Sequence, residues 1–439
     1  MNAHPAWPSD WPAGGVLFWF RNDLRLHDAP ALCHAIAVAR ARHTWLLPVV
    51  LDDSAQTQAT TAWGFARQGA HRRSFRQQGI AALAHAFRRL GADLWVCDDA
   101  HPVPTLSDAM RQLQASELVC EDIAAPEEQA TITALRQAGV RVTTVWQSTL
   151  YAPESLPMPL SQVPDTFTTF RRQLEAASCR ESPPLATPTH WPTPPSRLNL
   201  PMPHTPTARL VVGDGGEASA LAHLQSYCTR GLPYTYKSTR NHLMGQDSSS
   251  RWSPWLATGA LSARQTMQAV RECEAERGAT ESTYWLWFEL LWRDHFRWML
   301  CKHGRLLYRP QGLRQDNTHA LPPHRPAAFE RWRHGETGID LVDAGMRELG
   351  QTGWLSNRMR QIVASAWLHE LRGDWRTGAA WFEHALIDFD PYSNQGNWAY
   401  MAGVGTDPRG GRRFNLQKQA EAHDPNGAYR QRWTRAAVM

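Results

Sequence analysis

Short, continuous apolar segments alternate with amphipathic segments over the first part of the chain. Between two such apolar segments, Ile80, Leu83, Phe87 and Leu90 recur at helical spacing. This alternation predicts a parallel, Rossmann-like sheet covered by helices on both faces. No G-x-G-x-x-G follows the first predicted strand, so a standard dinucleotide-binding half is not expected. The predicted strands are Val16–Phe20, Thr44–Asp52, Asp93–Asp99, Glu117–Asp122 and Val140–Trp146.

The pattern changes twice after the predicted sheet. Prolines recur from Tyr151 to about Leu210, as in WPTPPSRLNLPMP, which is typical of a long surface connector with one short helix near TTFRRQLEAA. From Gly213 onward helical periods dominate and the strand signal nearly disappears. We therefore predict an α/β domain at residues 1–150, a proline-rich connector at 151–212 and an all-α domain at 213–439.

The composition is that of a globular protein with a mild basic excess. Lys and Arg number 46 against 41 Asp and Glu, a net charge of +5 that permits nucleic-acid binding without requiring it. No apolar run reaches the roughly 20 residues of a membrane span, and no secretory signal is visible. The seven scattered cysteines form no C-x-x-C pair. We therefore expect no metal site and a reducing, cytoplasmic location.

Tryptophan is unusually frequent in this chain. There are 21 tryptophans, and ten of them fall between Trp285 and Trp398. A large aromatic core is one explanation. A buried flat ligand, a path for electrons, or both would also account for them.

One predicted helix, from Thr283 to His303, carries polar groups on an apolar face. Glu289, Trp292, Arg293 and Phe296 stand at i, i+3, i+4 and i+7 and therefore share that face. The simple interpretation is an ion pair between Glu289 and Arg293 beside a core tryptophan. The alternative is a set of groups that bind a ligand.

A second predicted helix begins near Ser356. Asn357, Arg360 and Gln361 share one of its faces. Asn357 is either part of the first helical turn or an inward-pointing amide over a polar ligand.

The segment GQDSSSRWSPW surrounds Arg251 with Ser249, Ser250 and Ser253. It is either a serine-rich loop with a helix cap or an anion pocket. The helical half as a whole therefore suggests a large, flat ligand that bears phosphate.

Several long segments together resemble the photolyase/cryptochrome family, and most of all its DASH cryptochrome branch. They are LFWFRNDLRLHD, YKSTRNHLMG, FELLWRDHFR, GWLSNRMRQIVAS and NWAYMAGVGTDPRGGRRFNLQKQAEAHDPNGAY, in order along nearly the whole chain. The resemblance implies an α/β antenna domain, a connector and a helical FAD-binding domain. It also implies 5,10-methenyltetrahydrofolate as the antenna that DASH members commonly hold, although no decisive motif for it is present.

The resemblance implies a set of FAD contacts. Tyr236 stands at the mouth of the cofactor site, and Arg360 pairs with Asp388. Asp390 faces the pyrimidine edge of the isoalloxazine, and Asn394 stands opposite flavin N5. The positions implied to contact FAD are Tyr236, Ser249, Ser250, Arg251, Trp252, Ser253, Arg293, Asn357, Arg360, Asp388, Phe389, Asp390 and Asn394.

The resemblance further implies light-driven repair of cyclobutane pyrimidine dimers, the reaction of a deoxyribodipyrimidine photo-lyase, with a preference for single-stranded DNA. Glu289 hydrogen-bonds the thymine carbonyls, Trp292 stacks on the flipped dimer, and Arg240 contacts a DNA phosphate. Gln361 and Tyr400 are DASH-type choices in the same pocket. We expect a monomer. The alternatives are a blue-light photoreceptor that signals without repair and a flavoprotein oxidoreductase.

An electron path is also implied by the family. Trp398 and Trp375 match its first two tryptophans, whereas Pro322 occupies the position expected for the third. We therefore expect photoreduction of the flavin to proceed by another exit. Aromatic candidates for that exit are Trp332, Tyr400 and Trp381.

The segment DFDPYSNQGNWAY carries several of these residues close together. We expect it to form one short turn from Asp388 to Tyr400, in which Pro391 ends a helix. Such a turn would contact the cofactor, the electron path and the substrate.

Overall fold

The computed structural model describes residues 7–52, 59–97, 101–198, 200–314, 322, 324–407 and 409–434. Its N-terminal part contains a five-stranded sheet in the order β3-β2-β1-β4-β5, with all neighbouring strands parallel. The strands are β1 Val16–Phe20, β2 Leu46–Leu51, β3 Trp95–Cys97, β4 Glu117–Glu121 and β5 Val142–Val145. Each lies within its predicted range, and the predicted parallel sheet is confirmed.

The sheet has apolar clusters on both faces. Val16, Phe18 and Phe20 pack into one cluster, and Leu17 and Trp19 pack into the other. Because helices cover both faces, β1 is a continuous run of apolar residues and does not alternate between apolar and polar residues. The covering helices are α1 Pro30–Ala41, α2 Ala70–Arg89, α3 Pro102–Gln112 and α4 Pro126–Gln137.

The connector contains the predicted short helix, α5 Phe167–Ala176, after two 3₁₀ turns at Pro153–Ser155 and Leu160–Gln162. Farther along, Trp191 Nε1 donates a hydrogen bond of 3.2 Å to the Leu46 carbonyl of β2. The connector therefore supplies packing to the helical part through α5 and to the sheet through Trp191.

The C-terminal part is helical, and no strand occurs among its described residues after Gly213. Its helices are α6 Glu217–Thr229, α7 Tyr236–Thr239, α8 Ser253–Thr258, α9 Ala263–Arg277, α10 Glu281–His303, α11 Pro326–Arg333, α12 Asp340–Thr352, α13 Asn357–Ser365, α14 Trp375–Ala385, α15 Pro391–Met401, α16 Leu416–His423 and α17 Ala428–Arg432, with 3₁₀ turns at Leu232–Tyr234 and Gly304–Tyr308 and a π-helical turn at Ala366–Glu370. A capping box of Thr280 and Thr283 begins α10, the longest of them. No described helix is both long and apolar enough to cross a membrane.

The segment from Asp388 to Tyr400 is not a single short turn. Pro391 is the first residue of α15, and the prediction that it ends a helix is wrong. Proline suits this position because its missing N–H would have no helical partner there. Asp390 caps α15 by accepting a 2.7 Å hydrogen bond from the Ser393 N–H. Asn394 and Trp398 are therefore four residues apart on one helix and share a face.

The two folded parts meet through buried polar contacts. Asp28, which is 0 % exposed, pairs with Arg264 at 2.9 Å. Gly259 follows α8 with a φ of +68°, and a Cβ atom there would lie 1.9 Å from the Asn22 carbonyl oxygen. Glycine is needed at this position because the loop after β1 lies directly against its backbone.

Candidate cofactor and nucleic-acid site

Most of the predicted site residues surround one cavity of about 550 Å³ in the helical part, which we call the central cavity. A smaller adjoining cavity, the inner cavity, shares Asn357, Arg360, Gln361 and Asp388 with it. The predicted residues that line the central cavity are Tyr236, Arg240, Ser249, Ser250, Arg251, Trp252, Ser253, Glu289, Trp292, Arg293, Asn357, Arg360, Gln361, Asp388 and Tyr400. Those that line the inner cavity but not the central cavity are Phe389, Asp390, Asn394 and Trp398.

Asp388 and Arg360 form an ion pair of 2.8 Å at the junction of the two cavities. Arg360 also donates a 3.0 Å hydrogen bond to the Leu355 carbonyl, which fixes its guanidinium. Oδ1 of Asp388 is buried and has no hydrogen-bond partner within the described part of the chain. Because such atoms usually have a partner, this oxygen is available to a donor on a ligand.

Asp390 lines the inner cavity, but both of its carboxylate oxygens already bind the protein. Oδ2 accepts a 2.5 Å hydrogen bond from Arg297, and Oδ1 accepts one from the Ser393 N–H. Burial favours the neutral form of Asp390, yet Arg297 and Arg293 outweigh it and hold the pKa below its usual value. Asp390 therefore remains ionised as part of a buried pair.

Arg297 is a residue that the sequence analysis missed. It lies one helical turn beyond Arg293 on α10, and its guanidinium also covers the Tyr392 ring at 4.5 Å. The same i, i+4 spacing that placed Glu289 and Arg293 on one face would have found it.

Glu289 and Arg293 do not pair with each other. Arg293 donates hydrogen bonds to the Ser148 and Leu256 carbonyls, at 2.5 Å and 3.3 Å. Burial lowers the pKa of Arg293 to about 10, and Arg297 adds to this effect. The helical ion pair considered from sequence is therefore replaced by contacts that tie α10 to the connector end of the α/β domain and to α8.

Glu289 pairs instead with Arg240, which follows α7. Burial raises the pKa of Glu289, and the ion pair with Arg240 opposes this shift. Both residues line the central cavity, as does the adjacent Tyr236. The cavity wall thus presents a carboxylate whose partner is an arginine at the end of another helix.

Trp292 has one face covered by the protein. Phe167 of α5 stacks on it with a centroid distance of 3.8 Å and an interplanar angle of 13°. Tyr400 meets it edge-on at 5.9 Å, and Arg412 donates a 2.6 Å hydrogen bond to the Tyr400 hydroxyl. Phe167 was not predicted from the sequence, because its contact joins the connector to a helix more than a hundred residues later.

Residues 249–253, which we call the serine loop, also line the central cavity. Arg251 has a φ of +52°, and its guanidinium donates to the Val211 and Gly245 carbonyls at 3.2 Å and 3.3 Å. Ser253 begins α8, and no side chain caps that helix. The hydroxyls of this loop are therefore not consumed by a helix cap.

Trp398 lies between the inner cavity and a cluster of rings. Its indole meets Phe382 at 5.1 Å and Trp332 at 6.3 Å, and Trp332 meets Trp367 at 5.2 Å. Among the residues that the structure describes, no ring contact joins Trp398 to Trp375. A series of ring contacts thus leads from Trp398 through Trp332 to Trp367.

Trp375 lines a different and larger cavity of about 900 Å³, which we call the interdomain cavity. Trp63, Arg67 and Glu127 line it from the α/β domain, and Tyr308 and Trp375 line it from the helical part. Phe389 and Asn394 line both this cavity and the inner cavity. Pro322, the position expected for a third tryptophan, is half-buried and follows residues outside the described ranges.

Comparisons with known proteins agree with this arrangement. Residues 16–192 match the family model of DNA photolyase, and residues 285–436 match the FAD-binding domain of DNA photolyase. A cryptochrome DASH of Natronomonas pharaonis is 40% identical, and the match covers 95% of this chain and 89% of the relative.

Solved structures give the same result. A cryptochrome of Synechocystis sp. superposes with a TM-score of 0.87 at 39% identity, covering 97% of this chain and 89% of that one. A class III photolyase from Agrobacterium tumefaciens gives a TM-score of 0.77 at 26% identity, covering 98% and 88%.

A parallel-sheet domain followed by a helical FAD-binding domain defines a photolyase-like flavoprotein. This chain belongs to the photolyase/cryptochrome family, within which it is most like the DASH cryptochromes.

The residues present fit FAD. The cavities offer a polar acid–base edge at Asp388 and Arg360, hydroxyls at the serine loop and the Trp354 indole, which both Arg360 and Arg251 contact. The unpartnered Oδ1 of Asp388 and Nε of Arg251 stand at two separate places where a polar ligand would bind. Cofactor sites commonly combine a mostly preformed cleft with a few such polar groups.

Proposed function

We propose that this protein repairs cyclobutane pyrimidine dimers in a blue-light-driven, FAD-dependent reaction and prefers single-stranded DNA. FAD supplies light absorption and reversible electron donation, and the protein supplies binding, orientation and electrostatics. In this proposal the implied FAD contacts hold the cofactor, while Glu289, Trp292, Gln361, Tyr400 and Arg240 hold the DNA.

The observation that carries the proposal is the position of Glu289 and Trp292. Both line the same cavity as Asp388 and Arg360, so a substrate bound against them would lie next to the cofactor. Trp292 is backed by Phe167, which keeps its ring plane fixed. A fixed indole suits stacking on an unpaired base, and a carboxyl group suits hydrogen bonding to its carbonyl edge.

Glu289 has two roles in this proposal. In the free protein it balances Arg240, and in the complex it hydrogen-bonds the carbonyl groups of the dimer as negative charge develops there. Burial already disfavours its ionised form, so loss of Arg240 to a DNA phosphate would favour the protonated acid, which can donate a hydrogen bond.

The preference for single strands has a physical basis. To reach the cavity, a dimer within a duplex must be unpaired and unstacked at a cost of a few kcal/mol, whereas a dimer in a single strand avoids most of that cost.

The relatives named DASH cryptochrome and the class III photolyase support a photolyase-like flavoprotein.

We further propose that the interdomain cavity holds the antenna, 5,10-methenyltetrahydrofolate. The cavity is lined by aromatic side chains such as Trp63 and Tyr308 and by Arg305 and Arg309, which suits a flat aromatic ligand with carboxylates. Reconstitution with this folate should give an absorption band separate from the flavin bands. A reconstituted protein with flavin bands alone would contradict this assignment.

The function is tested by illuminating the flavin-loaded protein with oligonucleotides that carry one cyclobutane dimer. Matched single-stranded and double-stranded substrates are compared, with dark samples as controls. We expect light-dependent repair that is faster on the single strand. Equal repair of both would contradict strand preference, and no repair of either would favour the signalling photoreceptor.

A further inference from the structure

Two aromatic residues of α10 extend the wall of the central cavity outward. Trp285 and Phe288 have ring centroids 4.4 Å apart, and both side chains are half-buried. Trp285 stands four residues before Glu289 and seven before Trp292, so all three share one helix face. Phe288 itself lines the central cavity. The aromatic surface is therefore continuous with the proposed dimer pocket.

Cations border this pair of rings. The Arg240 guanidinium lies 4.4 Å from the Trp285 centroid, and the Lys237 ammonium lies 5.9 Å from it. The Lys237 side chain is 40 % exposed and also pairs with Glu281 at the start of α10. We call Trp285, Phe288, Lys237 and Arg240 the rim patch.

The rim patch combines the two features that bind unpaired nucleic acid. Aromatic faces accept the bases of a single strand without sequence preference, and basic side chains follow its phosphates. A continuous strand whose dimer enters the central cavity must leave it over an edge, and the rim patch is a basic, aromatic edge next to Glu289.

We propose that the rim patch binds the nucleotide adjoining the lesion on one side, with its base on Trp285 and Phe288 and its phosphate at Lys237 and Arg240. This inference rests on the proposed function and deepens it. A neighbouring base in a duplex is already paired and stacked, so the patch favours single strands. Arg240 joins the two sites, since it contacts both Glu289 and Trp285.

The test measures DNA binding in the dark, so its readout does not depend on repair. Three single-stranded oligonucleotides carry one cyclobutane dimer, with both flanking bases intact, the 5′ neighbour abasic, or the 3′ neighbour abasic. We expect the wild type to lose about tenfold in affinity when one particular neighbour is abasic. Trp285→Ala and Phe288→Ala should bind the intact strand about as weakly and should no longer respond to that abasic site.

Two further variants keep the test decisive. Trp433→Ala, at the far C-terminal end, should bind like the wild type. Lys237→Gln changes a half-buried side chain and should reduce the slope of log affinity against log salt by about 0.7. A Lys237→Gln variant with an unchanged salt slope, or aromatic variants that still respond to the abasic site, would overturn the rim-patch proposal.

The two proposals fail in different ways. Repair by the wild type, with rim-patch variants that bind as well as it does, overturns only the rim patch. A wild type that neither binds these oligonucleotides nor repairs the dimer overturns both.

Discussion

The central cavity and the interdomain cavity differ in what their polar groups do. The interdomain cavity is larger, about 900 Å³ against 550 Å³. Some of its charged groups bind one another, as where Arg67 pairs with both Glu127 and Glu383 at 2.8 Å. No buried, unpartnered side-chain atom lines it within the described residues, whereas Asp388 and Arg251 of the central cavity each have one.

This difference shows that volume is a poor guide to a site that selects its ligand. A gap between two domains can be large because two surfaces meet imperfectly, and the pairs that Arg67 forms with Glu127 and Glu383 there need no ligand. A cavity that keeps buried polar atoms unpaired is less favourable when empty, and a ligand that pairs them regains that free energy. We therefore expect the central cavity to hold its ligand more tightly than the interdomain cavity holds the proposed antenna.

The largest expected effect comes from Asp388→Ala. Removing this carboxylate takes away a charged hydrogen-bond partner worth about 1.5–3 kcal/mol and leaves Arg360 unpaired, so FAD affinity should fall by roughly ten- to a hundredfold. The ratio of flavin to protein after purification measures this.

Asp424→Ala is a matched control for that variant. Asp424 is also nearly buried and pairs with Arg430 at 2.9 Å, but it lines neither cavity. It should cost stability while leaving the flavin content unchanged. Equal flavin loss in both variants would mean that the Asp388 pair acts only through stability.

Glu289→Gln should have the next largest effect. The amide keeps the size of the side chain but loses the carboxyl group, and its pairing with Arg240 becomes that of a neutral acceptor. Weakening one hydrogen bond at a site of developing charge should lower the repair yield per absorbed photon by about tenfold. Glu272→Gln, on the exposed surface of α9, is the control. An unchanged yield in Glu289→Gln would exclude Glu289 from the reaction.

Local patterns in the sequence predicted the strands, but they did not predict one ion pair and one helix at the central cavity. Buried parallel strands such as Val16–Phe20 were predicted because continuous apolar runs are a local signal. The pairing of Glu289 with Arg240 was not predicted, because its partners lie 49 residues apart and the i, i+4 pair with Arg293 was the nearer choice. The helix Pro391–Met401 was missed because its asparagines, glycine and N-terminal proline are typical of turns.

The resemblance to a family placed residues around the central cavity that no periodicity could bring together. Asp388 and Arg360 are 28 positions apart, yet they pair as the family motif implies. The interdomain cavity has no comparable motif in the sequence. It is formed by residues as distant as Arg67 and Glu383, whose meeting depends on how two domains pack.

A smaller effect is expected on the electron path. Trp398 lines the inner cavity, Trp375 lines the interdomain cavity, and Trp332 is fully buried between other rings. Under blue light with an external thiol as reductant, Trp398→Phe should slow the loss of oxidised-flavin absorption most. Trp375→Phe and Trp332→Phe should each slow it partly. Each variant leaves the other tryptophan in place, so one of the two branches of the electron path, through Trp375 or through Trp332, remains.

Folate loading separates these two branches. An occupant of the interdomain cavity would contact Trp375 but not Trp332, so it should change the photoreduction rate of Trp332→Phe more than that of Trp375→Phe. If Trp375→Phe reduces its flavin as fast as the wild type, the inherited path through Trp375 is wrong.

The smallest expected effect on flavin binding concerns Asp294, which tests whether every buried unpartnered atom marks a binding cavity. Asp294 is 0 % exposed and lines neither cavity, and its Oδ1 has no hydrogen-bond partner among the described residues. Its Oδ2 accepts a 2.8 Å hydrogen bond from the Leu150 N–H. Burial raises its pKa to about 7, so the unpartnered oxygen is explained by a proton rather than by a ligand.

The sign of the pH dependence follows from that shift. The unfolded chain releases this proton near pH 4 and the folded protein near pH 7, so the folded state holds the extra proton between those values. This contribution to stability is complete below about pH 4, declines as pH rises, and is lost above about pH 7. Asp294→Asn keeps an acceptor for Leu150 and should flatten the decline by up to ~1.4 kcal/mol per pH unit, with no change in flavin content. Urea unfolding midpoints from pH 4.5 to 8 measure it, and identical profiles for wild type and variant would show that Asp294 is ionised when folded.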